Sequence, residues 1–150
     1  MENSVLALFL QAIPEMIAFS MLVLAMNRDM KNWKEAVLMG VILALALHFI
    51  RMLPISFGIH TLIFIGLAII SYNLVFKINF TIIVKAVLLG TLLIVFGEAL
   101  SFLLIIKVLG FTFEELTSSA FLWITSGWLH IIMTLVVAYF LFKKGRREVV

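Results

Sequence analysis

Seven side chains in an otherwise apolar chain could do chemistry: Gln11, Glu15, His48, Arg51, His60, Glu98 and His130. All of them fall inside, or at the edge of, runs long enough to cross a bilayer. An ionisable group at membrane depth costs about 2.5–3.5 kcal/mol on insertion scales, so each asks for a partner or a wet cavity. Two carboxylates, three imidazoles and a guanidinium can pair with one another, bind a polar ligand or bind a proton.

Spacing groups them. Gln11 and Glu15 are four apart and flank Pro14, whose ring removes the backbone bond to Leu10 and frees that carbonyl beside a carboxylate, as a polar pocket wall would require. Ala36, Gly40, Ala44 and His48 recur at intervals of four, with Arg51 three further on, so one stripe is small at one end and basic at the other. Ser126, His130 and Thr134 form a polar stripe, and Gly90, Gly97 and Ser101 mark a close-packing face near Glu98. Leu53 precedes Pro54, which disfavours helix there, so a short turn containing Gly58 is expected to lead to His60. This hairpin should place His48, Arg51 and His60 around an outward mouth, with Arg51 paired to Glu98 or Glu15.

Structural roles stand beside these. Arg51 is about one turn from the surface and could snorkel to headgroups. Glu15 and Glu98 could be protonated carboxyls bonded to a neighbouring helix, and the histidines could fix helix register. No His pair at i, i+4 and no His–Glu ligand spacing occurs, so no metal is expected. Without cysteine, thiolate metal sites, disulfides and cysteine nucleophiles are excluded. There is no P-loop, dinucleotide fingerprint or nucleophile elbow, so no cofactor and no enzymatic activity are expected. The basic residues at the C-terminus suit a topology signal and anionic lipid rather than nucleic acid.

The elements that must carry these groups follow from composition. The chain of 150 residues is 65% hydrophobic and 13% charged, with a mean hydropathy of +1.25. That leaves too little polar surface for a water-soluble globule. The expected fold is all-α: one domain, residues 1–150, a bundle of five membrane-spanning helices at about Val5 to Met26, Lys34 to Leu53, Phe57 to Phe76, Phe80 to Leu109 and Ser119 to Phe142. The first apolar run lacks a positive flank and a cleavage motif, so it should be retained. Thr112 with Glu115 three later reads as a capping box opening a short helix on the membrane surface. Nine of the eleven basic residues fall on one face, all but Arg51 and Lys107, which predicts the N-terminus outside and the C-terminus inside a cell membrane.

The basic first loop, Asn27-Arg-Asp-Met-Lys-Asn-Trp-Lys34, and the basic stretch Phe142-Lys-Lys-Gly-Arg-Arg147 give the layout its likeness. It resembles the membrane-embedded sensor domains of Firmicutes Agr-type quorum-sensing receptor histidine kinases. Such receptors continue into a kinase region that these residues do not contain. The resemblance therefore implies a signal-sensing or receptor module acting through a partner, a histidine kinase or another membrane protein, with a small molecule or peptide as ligand. A second resemblance, to the substrate-binding membrane subunits of energy-coupling-factor transporters, implies solute capture instead, although those usually have six helices. A structural or assembly role is the third expectation.

Overall fold

The computed structural model describes residues 2–54 and 57–147. Among them, five helices are long and apolar enough to cross a membrane: Val5–Met26, Trp33–Met52, Ile59–Phe76, Phe80–Lys107 and Ala120–Gly145. These are the first to fifth spans. The protein is thus an all-helical, multi-pass membrane protein.

The first span is the hub. From residue 11 to residue 27 no position is exposed, because the second, fourth and fifth spans all pack around it. A helix enclosed in this way is expected to be apolar nearly all round, and Gln11, Glu15 and Ser20 are the polar exceptions along it. Phe19, Leu22, Val23 and Leu24 are almost fully enclosed, and Phe19 stacks its ring edge-on against Phe64 and near-parallel with Tyr72 of the third span. The third span is peripheral and turns Leu62, Ile70 and Leu74 outward. Exposed leucines and phenylalanines on every span are the surface that hydrocarbon covers.

The first span is not a uniform α-helix. Helix Glu2–Ala7 passes through a π turn at Leu8–Ala12 before resuming as Ile13–Met26. The Ile13 N–H bonds to the Leu8 carbonyl, five residues back. Pro14 explains it. In α geometry its ring would collide with the Leu10 carbonyl and offer no N–H to it, whereas the wider turn just before Pro14 takes up the misfit.

Glycines set the closest approaches. A methyl added at Gly40 would lie 2.7 Å from the Ile17 backbone, so the Ala36, Gly40, Ala44 stripe is the face by which the second span packs on the first. Gly90 is filled by the Phe19 ring in the same manner. Both stripes therefore serve packing.

The second span ends at Met52, and Leu53 is extended (φ −73°, ψ 142°), as the following Pro54 dictates. The third helix, Phe57–Phe76, already includes Gly58, which corrects the expected Gly58 turn; residues 55 and 56 lie outside those described. The fifth helix continues to Arg147, five residues past the expected Phe142. Basic residues there suit the negative end of the helix dipole. At the N-terminal end of the bundle, Phe113–Ser118 forms the short helix. Its box closes with Thr112 N–H to Glu115 Oε2 at 2.7 Å and Glu115 N–H to Thr112 Oγ1 at 3.2 Å. Buried Leu116 and the rings of Phe102, Phe113 and Trp123 hold it down.

Candidate functional site: a buried polar cluster

The first and fifth spans run in the same direction and in register. Gln11 lies against Gly127, one turn further Glu15 faces His130, and at the far end Arg28 lies against Gly145. Gly127 leaves the room that the Gln11 side chain fills: a methyl there would fall 2.3 Å from the Gln11 Nε2. Gly97 of the fourth span closes the other side, with a methyl at that position only 2.4 Å from the His130 Cβ. Two glycines therefore let three backbones converge on one imidazole and one amide.

His130 is fully enclosed, and both of its ring nitrogens lack a hydrogen-bond partner. Nε2 is 3.6 Å from Glu15 Oε2, beyond the roughly 2.7–3.2 Å of an N–H···O bond. The Gln11 Oε1 is likewise buried and unbonded. Each such orphan costs about 1–3 kcal/mol, so the fold holds this arrangement against a penalty. Glu98, half-buried beside Gly97, lies within electrostatic reach of Glu15, His130 and Arg51.

Of the seven expected site residues, Gln11, Glu15, Glu98 and His130 belong to this cluster. Glu15 and His130 lie near the middle of their spans, and Gln11 and Glu98 nearer the N-terminal end of the bundle. His48, Arg51 and His60 stay at the N-terminal end of the bundle. His48 is half-buried with its ring edge-on to Phe49, and His60 is half-buried with an unbonded, buried Nε2. Arg51 is exposed and, among the described residues, forms no ion pair. The expected ion pair of Arg51 with Glu15 or Glu98 is corrected: Glu15 faces His130, and Arg51, exposed in the last turn of the second helix, acts on Glu98 only from a distance. Among the described residues no three His, Asp or Glu side chains converge as a metal site would need.

Other buried polar groups are bonded. Ser101 Oγ donates to the Ser126 carbonyl at 2.7 Å, joining the fourth and fifth spans, and Thr134 Oγ1 returns to the His130 carbonyl at 2.8 Å. Sequence reasoning missed a further link. Ser20 Oγ donates to the Met16 carbonyl at 2.8 Å, so the fully buried Tyr72 hydroxyl, 2.7 Å away, must donate to Ser20. A tyrosine one turn inside a span, with a serine at matching depth, was the available signal.

Fold and cluster together define a multi-pass membrane protein with an ionisable core. No family model, curated protein or solved structure matches the chain.

Proposed function

We propose that the protein is a signal-sensing or receptor module of the cell membrane that acts through a partner protein, with Gln11, Glu15, Glu98 and His130 as its responsive element. The observation that carries this is the shared pair of helices. The first and fifth spans hold the unsatisfied Glu15–His130 contact and, thirteen residues further along the first span, the Arg28–Gly145 contact. At 1.5 Å per residue, roughly 20 Å separates them. Arg28 closes the first span in a left-handed conformation (φ 58°) that favours glycine, with the Asp29 N–H bonding back to the Leu24 carbonyl. A side chain held there and laid against Gly145 reports any change in how the two helices meet. The basic loop and helix end around it offer a docking surface for an acidic partner segment, and the excess of basic residues at this end supports a cytoplasmic position for it.

A captured solute would also satisfy the orphaned Gln11 and His130 atoms, which is the specific support for the transport-subunit alternative. Affinity capture of the full chain from native membranes, with mass spectrometry of proteins and small molecules, separates the two. A signalling partner released by Arg28→Gly is the expected result. A transport ATPase with its coupling subunit, or a stoichiometric solute, would overturn it.

A further inference from the structure

We infer that Glu15 and His130 form a proton-binding site in the core of the bundle: one proton taken up by His130 turns a 3.6 Å gap into a charge-assisted hydrogen bond between the first and fifth spans. This deepens the sensing role proposed above and rests on it for its consequence, though not for its chemistry.

Donor and acceptor inventory leads to the proton. Glu15, Glu98 and the Gln11 Oε1 offer acceptors with two lone pairs on each oxygen, against which stand the Gln11 Nε2 and the single N–H of a neutral imidazole, itself bringing one further acceptor. Donors are short, and protonation of His130 supplies one. Space leads the same way. His130 is enclosed completely, Gly97 meets its backbone, and the Gln11 amide fills the room that Gly127 leaves. A ligand of no volume fits where a solute would have to part the helices.

The charged groups around the ring agree. Packed against the fifth span, the first brings Glu15 and the fourth Glu98, both acidic; the short outer helix brings Glu114 and Glu115, at the end of the bundle. Arg51, the nearest cation on the second span, acts on Glu98 from the same end, where His48 and His60 also sit. Lys107 and Lys85 lie at opposite ends of the fourth span. The proton comes from water, adds to a ring nitrogen lone pair and breaks no other bond in the protein.

An N–H···O bond between charged partners is about 2.7–2.9 Å long, so closure draws Nε2 and Oε2 together by nearly 1 Å. His130 is braced by Gly97, so the movement falls on the first span, just beyond its π turn.

The test is nitrogen NMR of the full chain in lipid nanodiscs, its histidine rings labelled and followed from about pH 5 to pH 9, where imidazoles titrate. His48→Gln and His60→Gln assign the signals. The expected result is a His130 ring that gains a second N–H within this range, with proton affinity falling about tenfold or more in Glu15→Gln, one pKa unit. A His130 ring that stays neutral throughout, or a midpoint unmoved by Glu15→Gln, overturns the proposal. Should that variant fail to fold, the wild-type titration still decides, and Glu15→Asp, one methylene shorter, is expected to weaken the site. Because the chain has no cysteine, Lys31→Cys with Lys143→Cys gives one spin-label pair, whose separation should change across the same midpoint. Titration without any signalling partner would leave the proton site standing and remove the sensing role. A responsive partner without titration would do the reverse.

Discussion

Replacing Gly97 by alanine puts the contact between the fourth and fifth spans to its hardest test. The added methyl would sit 2.4 Å from the His130 Cβ, 2.8 Å from its Cα and 3.3 Å from its backbone nitrogen. Carbon atoms in contact rest at about 3.5–4.0 Å, so the two helices must part by roughly 1 Å at this level. No rotamer change relieves it, because the obstacles are backbone and Cβ atoms. Overpacking of this kind costs about 1–3 kcal/mol, and the better helix propensity of alanine returns up to about 1 kcal/mol. The net loss should be about 1–2 kcal/mol, or about a 5- to 30-fold shift in the unfolding equilibrium. Gly66→Ala is the matched control, since a methyl there meets nothing within 4 Å and should be neutral or mildly stabilising. Reversible unfolding in mixed micelles measures both. Equal stability of the two variants would show that Gly97 does not hold the helices together and would remove the brace assigned to His130.

Three further outcomes are expected. Removing the Tyr72 hydroxyl with Tyr72→Phe, cycled against Ser20→Ala, should reveal a coupling of about 0.6 kcal/mol, the usual size for a hydrogen bond between membrane helices; a coupling of zero would mean the two hydroxyls do not bond. Pro14→Ala restores an N–H that can reach the Leu10 carbonyl, so the π turn should revert to α geometry and the preceding residues rotate by about 100°, detaching Gln11 from Gly127; cysteine cross-linking of positions 11 and 127 should then fail, and continued cross-linking counts against Pro14 as the cause. At the short helix Phe113–Ser118, the backbone N–H of Thr112, then its hydroxyl, hold the Glu115 carboxyl below the ordinary range. A lowered folded-state pKa stabilises above the unfolded value and is lost as pH falls through the folded one, so the cap should open only under acid conditions. Thr112→Ala should return the Glu115 titration, read by carbon NMR, towards an ordinary glutamate.

The spans were legible because length, hydropathy and caps are local properties. Thr112 and Glu115 announced their box three residues apart, and Pro54 announced the end of the second span. Which faces meet was far less legible. In a bilayer the lipid-facing and core-facing sides are both apolar, so hydrophobic periodicity gives little guide to rotation about the helix axis. Arg51 therefore looked like a partner for Glu98 or Glu15 on depth alone, whereas it lies exposed in the last turn of its helix and Glu15 faces His130. The seating of Gln11 against Gly127 depends further on the π turn, whose extra residue shifts the phase of what precedes Pro14. The polar residues of the cluster could be named in advance, but their geometry could not.

The hub position of the first span bears on how the protein is made. Its carboxylate faces an imidazole that follows it in the chain by 115 residues. At synthesis rates of about 5–20 residues per second, Glu15 waits roughly 6 to 23 seconds in the membrane before His130 emerges. During that interval the first helix has none of the fifth span's cover, and its acidic side chain must be met by water, by headgroups or by another protein. Biogenesis thus ends where it began. A nascent chain halted before the fifth span displays an uncovered glutamate at mid-membrane, which is a mark by which quality control can tell an unfinished molecule from a finished one.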